Sequence, residues 1–380
     1  MSLFDQLTQF SGSAAGIILP FLIVLTIVVF FHELGHFLVA RWCGVKVLTF
    51  SVGFGPELFG FNDRHGTRWR FAAVPLGGYV RFLGDDNAAS MPRAGAERPH
   101  PPGRDESFAC APVSRRSAIV AAGPIANFIL AVVIFAAVFM TFGRALTDAR
   151  IDSVEPGSPA AVAGLAPGDV ILAIDGRAIE SFSEMQRIVS GASGRALPIT
   201  VDRGGETVEL VATPERREID DGFGNKLGIG VLGIRRDMGE GDVVRERAVP
   251  VEAVGLGVQE TWFVATRTLD YVAGIFVGRE SADQLSGPIR IAQVSGRAAE
   301  LGVIPLLQLT AVLSVSIGLL NLFPIPLLDG GHLVFYAYEA LRGRPMSERA
   351  QEVGLRIGLA IVLMLMIVAT WNDIRALTAL

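Results

Sequence analysis

Gly16 to Ala40 contains a single charged side chain, Glu33. Three further tracts share this poverty of charge. Ala118–Gly143 and Ile357–Trp371 carry none, and Leu301–Tyr338 carries only Asp329. A membrane-crossing helix needs about 20 apolar residues at about 1.5 Å each. In lipid every backbone polar group must be paired within the segment, so such tracts fold as helices. The sequence therefore predicts four transmembrane helices. Composition agrees: 51% of residues are hydrophobic and 19% charged, against about 25% charged in an ordinary soluble domain. A wholly soluble enzyme is excluded on this reading. Two cysteines and 43 unpatterned glycines exclude disulfide-rich and collagen-like classes. A net charge of -5 gives no sign of nucleic-acid binding. Residues 1–15 lack Lys and Arg, so no cleaved signal peptide is expected.

Short loops rich in Arg and Lys stay in the cytoplasm. Arg41, Lys46, Arg64, Arg68, Arg70, Arg81, Arg115 and Arg116 lie between the first two tracts. Arg342, Arg344 and Arg349 lie between the last two. Both connections are expected inside, with both termini and the long loop outside. The chain then divides into a first span (1–44), a region of β-hairpins beside the membrane (45–90) and a Pro-rich linker (91–117). A second span (118–143) leads to a small outer α+β domain (144–236) and an amphipathic connector (237–300). A third segment (301–341) is broken by Pro324 and Pro326, and a turn with the fourth span (342–380) closes the chain. In the connector an apolar stripe runs through Val251, Val254, Val258, Trp262, Ala265, Leu269, Val272 and Phe276, suited to packing on a domain or lying on the outer membrane surface.

The sharpest chemical signal is His32-Glu33-Leu34-Gly35-His36. Histidines at i and i+4 share one helix face and can grip one Zn²⁺, while the Glu between them can take a proton from water. An ionisable group at the middle of a span costs at least about 2.5 kcal/mol, so Glu33 calls for a function. A catalytic zinc takes three protein ligands. Asp329 is the foremost candidate for the third, with His332 ranked behind it. The Asn321-Leu322-Phe323-Pro324-Ile325-Pro326-Leu327-Leu328-Asp329-Gly330 string should be unwound, which membrane depth tolerates only where the backbone is buried or lines a wet cavity.

HELGH in the first span, Gly123-Pro124-Ile125-Ala126-Asn127 in the second and the Asn321…Pro324…Asp329-Gly330 string in the third resemble the site-2 protease family of intramembrane zinc metalloproteases. Four spans with an insertion after the second resemble its bacterial branch, the regulator of sigma-E protease type. The string Gly157-Ser158-Pro159-Ala160-Ala161 through Gly164 to Ile171 resembles a PDZ domain, and the chain has room for one where the best-known enterobacterial members carry two. The resemblance implies a polytopic α-helical membrane protein with one zinc per chain, held by His32, His36 and Asp329, and with Glu33 as catalytic base. Asn321 matches a residue thought to hold substrate backbone. Asn127 is expected to line the same cavity, and Gly53, Phe54 and Gly55 belong to a membrane-associated β-element where an unwound substrate pairs as a strand. The implied substrate is a single-span protein already trimmed outside by a site-1-type protease, with an anti-sigma factor as the type case and remnant signal peptides as a second class. The implied location is the bacterial inner membrane, with the PDZ domain periplasmic and the site near the cytoplasmic side. A catalytically silent PDZ scaffold or receptor is the competing reading, and a metal transporter a third that four spans serve poorly.

Overall fold

A computed structural model describes residues 14–84, 106–146, 148–220, 226–237, 244–278, 281–282 and 285–378. Most of the linker at 91–117 lies outside them. The chain forms two units. One comprises residues 1–138, 253–280 and 285–373, the other 139–252 with two short segments.

Among the described residues the first unit is built on four helices long and apolar enough to cross a membrane. These are α1 (Ala14–Trp42), α2 (Val113–Thr141), α7 (Val303–Leu322) and α9 (Glu348–Thr378). Beside buried apolar residues such as Val28, Ile119 and Phe135, their packing also takes polar groups inside. His32, His36, Asn127, Thr310, Ser314, Gln351 and Asp373 are buried, whereas Ile23, Leu38, Ile129, Met364 and Ile367 are exposed. That arrangement suits a hydrocarbon solvent, in which polar groups seek one another and aliphatic chains lose nothing by facing out. Small residues then set how closely helices approach. A Cβ on Gly35 of α1 would stand 2.3 Å from the Ala122 carbonyl of α2.

The third apolar tract is divided rather than continuous. α7 ends at Leu322, residues 323–328 are non-helical, and α8 (Asp329–Arg342) follows. Pro324 and Pro326 lack the N–H that would extend the helix. Leu327 sits at φ 131°, a strained conformation for a branched residue. The folded-back strand of chain is accommodated by glycines. A Cβ on Gly330 would meet the Leu322 and Phe323 carbonyls at 2.3 Å, and the Pro326 carbonyl lies directly against Gly358 of α9.

β1 (Val47–Asn62) and β2 (Arg68–Phe82) pair antiparallel, and each bends on itself. Phe50 pairs with Val80 on one side and Trp69 on the other, so four segments form one sheet in the order 59–62, 68–71, 49–52, 78–82. Gly53 and Gly55, at φ +89° and +88°, supply the bend in β1. Phe50 is fully buried, stacked on Trp69 with centroids 4.3 Å apart and edge-on to Phe30 and Phe37 of α1. The turn between the strands is tied to the end of α1 through Asp63. Its carboxylate accepts from Arg41, from the Trp69 indole at 3.2 Å and from the His65 and Thr67 amides. Burial alone would raise the Asp63 pKa, but these donors outweigh it and hold the carboxyl below its ordinary value.

Two helices of the 237–300 connector complete this unit. α5 (Pro250–Phe276) buries Ala253, Gly257, Thr261 and Ala265, and the bulky members of the expected stripe (Val251, Val254, Val258, Trp262, Leu269 and Phe276) are exposed. Its packing face is the small-residue one, with Gly257 against the Val132 carbonyl of α2. α6 (Pro288–Leu301) was not separable from the connector by periodicity. Gly296 brings α6 against Ile17 of α1. Its first turn is capped from a distant helix: Asp373 of α9 accepts from the amides of Gly287, Ile289 and Arg290 at 2.9, 3.0 and 3.1 Å.

In the second unit β3 (Val170–Ile174), β4 (Arg177–Ala178), β5 (Leu197–Arg203) and β6 (Glu206–Ala212) form a sheet in the order β4-β3-β5-β6. Two short helices, α3 (Pro159–Ala163) and α4 (Phe182–Ser190), are N-capped by the hydroxyls of Ser158 and Ser181. Ile151, Ile171, Ile174, Leu197, Ile199, Val201 and Leu232 form the core. Asp169 is buried beside it and accepts from Nε and Nη2 of Arg203, each at 2.8 Å, and from the Ala166 amide at 2.9 Å.

Two outcomes are expected. Asp373→Ala removes three caps at once and should cost about 2 kcal/mol, read as a lower unfolding temperature in detergent. The Arg203 hydrogen bonds hold the Asp169 pKa below its ordinary value. A lowered folded pKa stabilises above the unfolded pKa, near about 4, and that stability is lost as pH falls through the folded pKa. Asp169→Asn should therefore flatten the acid limb of the unit's stability curve, measured by urea denaturation between neutral and acid pH.

Candidate metal centre

Three donors from two distant parts of the chain meet in the first unit. The Nε2 atoms of His32 and His36 lie 3.2 Å apart, and Asp329 Oδ2 stands 3.2 Å from the first and 3.5 Å from the second. One ligand atom from each residue falls within 4.8 Å of the others. The helical repeat of α1 stacks the two imidazoles with centroids 4.8 Å apart. The break before α8 places Asp329 at a helix start, where it can turn toward α1. Both histidines are 9% exposed.

The donor set fits a zinc ion. Two imidazole nitrogens and one carboxylate oxygen form the usual three-ligand catalytic set with one position open. Asp329 Oδ2 is buried against the Nε2 atoms of both histidines, so three donor atoms converge on one point where a cation would bind all of them. Gly123 of α2 keeps the space free, since a Cβ there would lie 2.3 Å from His36 Nε2 and 2.9 Å from His32 Cε1. His36 Nδ1 meets the Ile119 carbonyl at 2.8 Å, which orients its Nε2 toward the other donors.

The remaining candidates take different places. Asn127 is fully buried with its amide nitrogen 3.3 Å from His32 Nδ1, so it faces a ligand histidine. His332 is outside the three-residue group and sets its ring edge-on to Phe335. Asn321 donates to the Ile317 carbonyl of its own helix at 3.1 Å. Gly53, Phe54 and Gly55 lie at the bend of β1, where Phe54 pairs with Val74 and stacks on Tyr79. Beside Glu33 stand residues that spacing did not single out. Gly78 of β2 faces its Cγ, and the Val80 amide is within hydrogen-bonding reach of its carboxylate. Ile119 was also missed, having no signal in an apolar tract, and Gly123 was named only as part of the Gly123-Pro124-Ile125-Ala126-Asn127 string, which marks a close approach without naming what approaches.

The family profile described as Peptidase family M50 matches residues 20–365. The chain belongs to peptidase family M50. Among its relatives, a protein of Agrobacterium fabrum named provisionally as a zinc metalloprotease is 50% identical over 368 residues, covering 97% of this chain and 98% of the relative. One from Rhizobium meliloti with the same provisional name is 52% identical over 356 residues, covering 93% and 95%. The metalloprotease MmpA of Caulobacter vibrioides is 40% identical over 377 residues, covering 93% and 94%. M50 proteases use zinc, which agrees with the donor set.

Gly123→Ala should weaken zinc binding by roughly tenfold or more while leaving helix content unchanged, because it disturbs ligand placement. Metal analysis of the purified variant beside its circular dichroism spectrum checks this.

Proposed function

We propose that this M50 chain is an intramembrane zinc endopeptidase that hydrolyses a peptide bond within the transmembrane segment of a single-span protein. The observation that carries the reading is that His32, Glu33 and His36 stand on α1, a helix long and apolar enough to cross a bilayer, and that Asp329, at the start of α8, meets the two histidines there. His32, His36 and Asp329 would hold the metal. When bound, zinc supplies Lewis acidity, enough to bring the pKa of a water within its reach to about 7. Glu33 takes the proton of the attacking water and passes it to the amine that leaves. Glu33 lies against β2, where Gly78 faces its Cγ.

A substrate helix hides its carbonyls in its own hydrogen bonds and must unwind before cleavage. Residues 78–82 form an edge of the β1–β2 sheet beside Glu33. We assign this membrane-associated element, with Gly53, Phe54 and Gly55 at its bend, as the place where unwound substrate adds as a strand. Asn321, at the end of α7, is assigned to substrate backbone. The second unit is assigned as a periplasmic PDZ domain that filters substrates by size or takes a new chain end. Basic connections facing the cytoplasm support an inner-membrane orientation with the cut released inward. The substrate class proposed is an anti-sigma factor trimmed by an upstream site-1-type protease, with remnant signal peptides as a second class.

Wild type and Glu33→Gln, each zinc-loaded in detergent, are compared on a single-span substrate lacking its outer domain. Cleavage by wild type alone, abolished by a chelator, is expected, with a loss of about 10²-fold or more in the variant. Equal activity of the two proteins would remove Glu33 from the reaction.

A further inference from the structure

On α2, Ile119, Gly123 and Asn127 follow one another at intervals of four and so share one face. That face meets the two histidines of α1. Its outer members touch their Nδ1 atoms, Ile119 through its carbonyl and Asn127 through its side-chain amide. The middle member is the glycine that leaves room at Nε2.

The two contacts differ in kind. A backbone carbonyl only accepts, so His36 is fixed with its proton on Nδ1 and its lone pair on Nε2, the form that binds metal. An amide both donates and accepts. With its nitrogen toward His32 Nδ1, Asn127 donates, and the His32 proton sits on Nε2, directed at Asp329 Oδ2 and His36 Nε2, each 3.2 Å away. That arrangement is self-consistent without metal, yet in it His32 Nε2 has no lone pair to give. The Asn127 oxygen is meanwhile buried with no hydrogen-bond partner. A half-turn about the last side-chain bond brings that oxygen to His32 Nδ1. The proton then belongs on Nδ1 and Nε2 is free to ligate. The amide is held at this place by its own backbone, because Ser314 of α7 donates to the Asn127 carbonyl at 2.8 Å and Gly318 of α7 lies against its Cβ.

We infer that Asn127 is a positioning residue for the metal, whose side-chain oxygen accepts the His32 Nδ1–H and selects the tautomer that ligates through Nε2, and whose amide turns over when the site is filled. Asn127 touches no reacting atom and acts through His32. The inference rests on the zinc-site reading. Zinc binding by the wild type tests that reading, and differences among Asn127 variants test this one.

Zinc affinity is measured by competition with a chromophoric chelator for wild type, Asn127→Asp and Asn127→Leu, together with the unfolding temperature of each metal-free protein. Asp keeps the acceptor, whereas Leu keeps the approximate size without it. Asn127→Leu should bind zinc about 10–100-fold more weakly, and Asn127→Asp should stay within a few-fold of wild type. A packing role alone predicts the reverse order, since a buried carboxylate is the more disruptive guest. Equal affinity for wild type and Asn127→Leu, or weaker binding by Asp than by Leu, overturns the inference. Nitrogen NMR of histidine-labelled wild type gives a second readout that needs no variant: on adding zinc, His32 should change from Nε2–H to Nδ1–H. An Nδ1–H already present without metal overturns the turnover of the amide.

Discussion

Everything at the centre of this protein depends on how closely α1 and α2 approach. Gly35 lets the Ala122 carbonyl come against α1, and Gly123 lets the imidazoles of His32 and His36 come against α2. In water such an approach would be driven by burying apolar area. Between helices in lipid it must come from packing and from polar groups finding one another. The histidines supply those polar groups, and α2 answers each with one partner. The same contact therefore joins the helices and orients the ligands.

The second half of the site is brought in by a failure of helical structure. A continuous helix through residues 303–342 would carry Asp329 about 10 Å beyond Leu322 along its axis. The Pro324–Pro326 break folds that distance back. Gly330, Gly331 and Gly358 admit the crowded carbonyls, and Leu327 carries backbone strain of about 1–3 kcal/mol. α9 supports the fold-back through Gly358 at one point along its length and caps α6 through Asp373 near its end. An otherwise largely exposed helix thus holds two elements that meet α1 or its ligands.

Much of this was legible in order along the chain. Charge-free tracts announce helices because lipid permits little else, and a HExxH pattern places two nitrogens on one face by the helical repeat alone. An isolated carboxylate in an apolar tract is costly enough to imply a task, which is why Asp329 stood out before any fold was known. The stripe on α5 left two readings open, packing on a domain or lying on the outer membrane surface, and its bulky residues do not do the packing. Periodicity reports which face is apolar, and in a membrane setting the apolar face is the one that can be left outside, so the small residues between the valines made the contact. α6 was hidden because its cap comes from Asp373, more than eighty residues away.

Local rules determined the spans, the histidine pair, the break at the prolines and the residue types able to hold zinc, since each follows from backbone hydrogen bonding or burial cost within a few turns of chain. Tertiary structure alone decided that Asn127 faces His32 Nδ1, that Ile119 orients His36, that Gly123 is the hole between them, and that β2 stands beside Glu33. Those are contacts between elements dozens of residues apart or more. Their geometry is set by how closely helices and strands come together, which no spacing within a single element encodes.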